Sequence, residues 1–319
     1  MADKDTLPAP GDPGPGGADS TREPEPIKAV PLRRPGRWIA AAVILVLVAL
    51  FVYGAATNPA YRWDTYWKYL FDTRIAAGAV VTLELTVCAM AIAVVLGTTL
   101  AVMRLSPNPV LRSSAWVYLW IFRGTPVFVQ LVFWGLVPSL YSRIQLGVPF
   151  GPQFFHLDVQ QLQAAFAFAV LGLGLNEAAY MAEIVRAGIN SVGEGQREAS
   201  FALGMSWSQT MRRTVLPQAM RVIIPPTGNE LIGMLKTTSL VTGIPLSTDL
   251  FGRARDIYGV NFQPIPLLLV AATWYLAITS VLMIGQYYLE RYYSRGVSRT
   301  LTTKQLQELA DAQQGEKAK

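Results

Sequence analysis

A chain of 319 residues that is 52% hydrophobic and only 15% charged is too poor in charge for an ordinary soluble domain, where roughly 25% of residues are charged. Its net charge of +6 is mild and, with arginines beside apolar runs, fits orientation in a membrane better than nucleic-acid binding. A single cysteine, Cys88, and a single histidine, His156, exclude an intrachain disulfide, a thiolate metal cluster, a zinc or iron site and a His-based catalytic triad.

Residues 1–35 are rich in proline, glycine and scattered charge. They offer too little apolar surface to offset the entropy of ordering, so a disordered cytoplasmic tail is expected. The first apolar run starts near Trp38, too late for a simple cleaved signal peptide. Apolar stretches then occupy 38–61, 75–103, 113–142, 159–189, 222–248 and 257–289. Each is long enough to cross the ~30 Å hydrocarbon layer, which takes about 20 helical residues. The expected fold is an all-α membrane protein with six transmembrane helices. The first helix and an outer loop fill 36–74, a core spans 75–290, and 291–319 form a cytoplasmic tail.

Basic residues set the orientation. Lys28, Arg33, Arg34, Arg37, Arg104, Arg112, Arg186, Arg197, Arg212, Arg213, Arg221, Arg291, Arg295 and Arg299 fall on one side, against Arg62, Lys68, Arg74, Arg143, Arg253 and Arg255 on the other. Both termini are therefore expected in the cytoplasm. That places the long polar loop 187–217 on the inner face, and its length exceeds the connections usual between bundle helices.

Within this loop Glu198 to Leu203 favour helix, and Gly204 can end it in a left-handed cap. Ser206 can then cap a second short helix that Pro217 ends. Phe201, Leu203, Met205 and Trp207 give the pair an apolar body that needs a partner.

Glu198-Ala199-Ser200, Gly204 and Leu216-Pro217 stand at the spacing of the EAA loop, and the segment resembles that of ABC importer permeases. Ser200 replaces the second alanine and Thr214 the isoleucine of that pattern. Arg123-Gly124-Thr125-Pro126, the run Ala179 to Ile189, Pro225-Pro226, Gly228-Asn229 and Leu235 to Leu240 extend the likeness to the polar amino acid permeases over about residues 75–290. The resemblance implies a type I importer core built from the second to sixth helices, with the first helix an addition. It also implies that Glu198, Ala199, Ser200, Gly204, Leu216 and Pro217 couple to a separate ABC ATPase, which binds ATP and magnesium. Further implied partners are a second permease subunit, identical or paralogous, and an extracytoplasmic solute-binding protein, in the plasma membrane of a bacterium.

Ionisable residues inside spans are costly and usually face the bundle interior or a water-filled path. Glu84, Arg123, Glu177, Glu183, Glu230 and Lys236 are of this kind. Glu183 and Arg186 are placed to pair on one helix face. Glu230 and Lys236 lie on roughly opposing faces of the fifth helix. A zwitterionic cargo needs a carboxylate and a cation or donor set along its path, and Glu84, Arg123, Glu230 and Lys236 are the candidates to supply them. Pro225-Pro226 and Gly228 are expected to break that helix beside the path.

The chain has no Gly-x-x-x-x-Gly-Lys-Ser/Thr loop, so it is not expected to bind the nucleotide that drives it. It shows no repeated helix pairs of the secondary-transporter kind. The function expected is amino-acid import by a non-catalytic membrane subunit with no cofactor of its own. Another small polar solute, such as an opine or an organic cation, is the alternative cargo.

Overall fold

The computed structural model describes residues 35–140, 143–147, 153–158 and 164–293. The expected disordered tails lie outside these, apart from the ends of the first and last helices. The chain divides after Asn58 into two compact units. The first contains α1, Pro35–Thr57, whose mean hydropathy of 2.7 and 23 residues suffice for one crossing.

The second unit opens with α2, Trp63–Leu70, and α3, Thr73–Leu105. Asp72 caps α3 by accepting from the Arg74 amide at 2.9 Å. Its 33 residues make a rod of about 50 Å, longer than the bilayer core. Asn108 caps α4, Pro109–Gly124, with Pro109 at the first-turn position that tolerates a missing N–H. Pro126 then separates α4 from α5, Val127–Leu140, and the two helices meet at 103°.

Strands β1, Arg143–Gly147, and β2, Gln153–Asp158, pair antiparallel, Arg143 opposite Asp158. They are followed by α6, Ala164–Asn190, α7, Glu194–Ala202, and α8, Trp207–Thr210. A π turn, Met211–Val215, joins α8 to α9, Leu216–Thr237. After a 3-10 turn at Thr238–Gly243 come α10, Leu250–Asn261, and α11, Pro264–Tyr293.

The core is organised around α3 and α6. A side chain on Gly97 would collide with Met181 and the Ala178 carbonyl, and one on Gly174 would press on Ile92 and the Ala89 carbonyl. Small residues at these points let the two backbones approach, as membrane helices require when lipid supplies no hydrophobic drive between them. Leu131, Leu173, Met181, Met234 and Ile244 fill one buried cluster with α5 and α9. Ile75, Leu250, Leu267 and Val270 form another with α2, α10 and α11.

Three expectations change. Among the described residues, four helices, α1, α3, α6 and α11, are long and apolar enough to cross alone, and α4 with α5 makes a fifth if the bent pair is one span. The count of six is not reproduced, because α9 carries Arg221, Glu230 and Lys236. The fold is otherwise helical as expected, with the β1–β2 hairpin as the exception among the described residues.

Pro217 does not end the second loop helix; it sits in the first turn of α9, where no amide is needed. Pro225 and Pro226 do not interrupt α9 either. A proline pair removes the partners of two preceding carbonyls, yet the helical path holds here. The carbonyls concerned are those of Arg221 and Val222; separately from them, Gln286 of α11 donates to the Pro225 carbonyl at 2.8 Å, in the room that Gly228 leaves for its side chain.

Candidate functional site

The α7–α8 elbow is built by local chemistry. Arg197 Nη2 donates to the Ile189 carbonyl at 2.8 Å, tying α7 back to the end of α6. Gly204 has φ +77 with nothing within 4 Å of a would-be Cβ. Backbone handedness, and not crowding, is what demands glycine there. The Met205 amide donates to the Ser200 carbonyl at 3.1 Å and the Gly204 amide to the Phe201 carbonyl at 2.9 Å, closing the last turn of α7. Ser206 and Gln209 then form a capping box on α8.

The two departures from the EAA pattern meet in space. Ser200, 5% exposed, shares a 2.9 Å hydrogen bond with the Thr214 hydroxyl. A hydroxyl pair thus replaces the apolar contact that alanine and isoleucine would make, and each hydroxyl satisfies the other. Phe201, Leu203 and Trp207 remain 49%, 82% and 66% exposed, so the apolar body of the elbow stands open.

Between α4, α5, α6 and α9 lies a cavity of about 510 Å³ whose wall includes Arg123, Asn176, Glu177, Tyr180 and Glu230. Of the expected path residues, the structure brings together Arg123 and Glu230. Glu84 and Lys236 are exposed and do not line it. Glu177, only 8% exposed, directs its carboxyl toward that of Glu230, and its Oε1 has no hydrogen-bond donor.

Leu173, Asn176, Glu177 and Tyr180 line the cavity from α6, and Glu230, Gly233, Met234 and Thr237 from α9. Each set recurs at i, i+3, i+4 and i+7, one stripe of a helix. That spacing was present in the sequence; a search for isolated charges finds Glu177 but passes over Asn176 and Tyr180, and Glu177 was not among the expected path residues.

The α4–α5 break, residues Gly124 to Val127, forms part of the cavity wall. Gln130 Nε2 donates to the Phe122 carbonyl at 3.1 Å and to the Thr125 hydroxyl at 2.6 Å. Asn176 Nδ2 donates to the same Phe122 carbonyl at 2.9 Å and to Gln130 Oε1 at 3.1 Å. Carbonyls left open where α4 stops are thereby satisfied from α5 and α6. Arg123, at the end of α4, lies over the Tyr180 ring at 5.4 Å. Deeper along α6, Glu183 binds Arg186 at 2.6 Å and approaches Arg104 at 3.8 Å, so the expected pair forms and gains a third member.

Residues 93–295 match the family described as "Binding-protein-dependent transport system inner membrane component". The chain is 63% identical over 301 residues to the arginine transport system permease protein ArgU of Corynebacterium glutamicum, covering 94% of this chain and 93% of that one. It is 37% identical over 221 residues to the histidine/lysine/arginine/ornithine transport system permease protein HisM of Escherichia coli K12, covering 68% and 89%. A solved structure described as an amino acid ABC transporter with histidines superposes with a TM-score of 0.59 at 31% identity, over 73% of this chain and 98% of that one. The chain belongs to the binding-protein-dependent transport family as one of its multi-pass inner-membrane components, a permease of the amino-acid ABC importer type.

Proposed function

We propose that the amino acid moved by this permease is cationic, arginine or a close analogue, and that it is held between Glu177, Glu230 and Arg123. The cavity carries the reading: two carboxyl groups on α6 and α9 interact with one another there, and the Arg123 guanidinium lines the same space. Two carboxyl groups sharing one site do not readily both ionise, because each negative charge disfavours the other. A cationic side chain lying between them favours the charged form of both, while Arg123 is left to take the cargo carboxylate bidentately. The arginine permease ArgU and the histidine/lysine/arginine/ornithine permease HisM, both similar to this chain, are named for cationic amino acids, which supports this choice.

The remaining parts of the proposal follow from family membership. The chain carries no catalytic centre, and ATP with its magnesium is bound and hydrolysed by a separate subunit seated on Glu198 to Gly204 and Leu216-Pro217. A second permease subunit and an extracytoplasmic binding protein complete the importer. The N-terminus and C-terminus both lie in the cytoplasm.

The test is competition uptake in proteoliposomes holding the full complex, with labelled arginine against lysine, glutamine and glutamate. Glu177→Gln and Glu230→Gln are each expected to raise the apparent KM for arginine tenfold or more and to narrow its advantage over glutamine. Equal transport of glutamate and arginine by the wild type, or unchanged selectivity in both variants, would refute the assignment.

A further inference from the structure

The cargo cavity has a neighbour. A second cavity of about 450 Å³ is lined by Arg104, Trp116, Leu119, Trp120 and Glu183, and it shares Arg123, Gly124 and Tyr180 with the first. Its position along the core is set by the helices that bound it. Arg104 is in the last turn of α3. Glu183 stands between Tyr180 and the end of α6 at Asn190, from which the chain turns into α7. The second cavity therefore lies nearer the α7–α8 elbow than Glu177 does.

Resting on the reading that the first cavity holds cargo, we propose that the Arg123–Tyr180 stack partitions the translocation path into two chambers, and that cargo displaces it to enter the second on its way toward the elbow side.

The second chamber has the chemistry for a cationic zwitterion. Arg104 Nε is buried without an acceptor, which suits a carboxylate. Glu183 commits Oε2 to Arg186, while Oε1 stands 3.8 Å from Arg104, a loose contact that a cargo ammonium can share. Trp116 and Trp120 stack in parallel, centroids 6.2 Å apart, and both indoles are more than half exposed, offering faces to a cation.

The partition has the chemistry to yield to such a cargo and not to water or small neutral solutes. A guanidinium over a tyrosine ring is a modest contact. The cargo's own guanidinium competes for the Tyr180 face, and its carboxylate competes for Arg123. Both halves of the stack thus open to one molecule.

The experiment uses the reconstituted complex in proteoliposomes preloaded with labelled arginine, first without ATP. Tyr180→Leu removes the ring and is expected to raise passive arginine efflux at least tenfold and to lower uptake per ATP hydrolysed when ATP is supplied. Tyr180→Phe keeps the face and is expected to hold the leak within about twofold of wild type. Arg123→Gln removes the cation and reads the same leak if Tyr180→Leu fails to assemble. Efflux from Tyr180→Leu and Arg123→Gln at the wild-type rate, or equal leaks from Tyr180→Phe and Tyr180→Leu, would overturn the partition. The carboxylate variants separate the two ideas. Unchanged selectivity in Glu177→Gln and Glu230→Gln with a leaky Tyr180→Leu rejects the cargo cavity alone. Altered selectivity with a tight Tyr180→Leu rejects the partition alone.

Discussion

At the scale of single residues, two positions carry constraints that a homologous pattern does not explain by itself. Asp249 is fully buried at the N-cap of α10, where Oδ2 accepts from the Phe251 and Gly252 amides at 3.1 and 3.2 Å and Oδ1 has no partner. Burial pushes its carboxyl above the usual carboxylate range, outweighing the cap amides and nearby Arg255, which act the other way. A folded-state value above the unfolded one, about 3.9, gives stability that is complete at low pH and lost as pH rises through the folded value. Asp249→Asn keeps an acceptor for the cap and removes the charge. Thermal unfolding of the purified protein is expected to show the wild type losing ground to Asp249→Asn as the pH is raised from below the unfolded value of about 3.9; parallel melting profiles would show that Asp249 does not titrate in this way.

Gly204 is the second. With φ +77 and open space around it, a branched side chain there costs on the order of 1–2 kcal/mol through handedness alone. Gly204→Val is expected to leave the protein inserted but to lower cargo-stimulated ATP hydrolysis, and Gly204→Asn to be milder because asparagine tolerates this conformation. Normal coupled hydrolysis in the valine variant would show that the elbow's handedness is not used.

At the scale of elements, the α4–α5 break depends on groups far away in sequence. Removing Asn176 leaves the Phe122 carbonyl with the Gln130 donor alone and Gln130 Oε1 without the donor it has from Asn176, and an acceptor left without a partner away from water costs about 1–3 kcal/mol. Asn176→Leu is expected to lower the melting temperature, and Gln130→Leu to do the same. The double variant should cost less than the two losses added, since the residues share one network. Strict additivity in a double-mutant cycle would show that the two do not act together.

This element also marks where sequence reasoning stopped. The apolar run 113–142 looks like one helix, and only Pro126 hints at the break. The sharp angle is set by Gln130 and Asn176, whose partners no local pattern reveals. Pro225-Pro226 misleads in the opposite direction, because α9 runs through both prolines without interruption. The elbow was legible, since Gly204 and the Ser206 cap act locally and the geometry follows from neighbours in the chain. The cavity was half legible. Arg123 and Glu230 stand out as charges in apolar runs, whereas Glu84 and Lys236 stand out equally and point elsewhere. On α9 the i, i+3, i+4, i+7 register of Glu230, Gly233, Met234 and Thr237 leaves Lys236 off the cavity stripe, while no local pattern sets Glu84 apart.

At the scale of the whole molecule, the number of crossings turns on α9 and on the bent α4–α5 pair. Helix α9 falls short as a span by composition, but its Glu230 stripe faces a cavity walled by α4, α5 and α6. Ionisable residues on a span are tolerated when they face such an interior, so low apolarity there is what a path-lining helix would show. The bent α4–α5 pair has the same logic, since its freed carbonyls are satisfied by protein and not left to lipid. Both are therefore expected to cross. Cys88, the sole cysteine, is first replaced by serine, and single cysteines are placed at Asn108, Gln153, Met205 and Asp256. Membrane-impermeant labelling is expected to reach Gln153Cys and Asp256Cys from outside and Asn108Cys and Met205Cys only after permeabilisation, as the basic residues at Arg104, Arg112, Arg212 and Arg213 require of the inner face. Met205Cys and Asp256Cys labelled from the same side would show that α9 does not cross. Asn108Cys and Gln153Cys labelled from the same side would make α4 and α5 a re-entrant loop, and the cargo cavity would then open toward one face only.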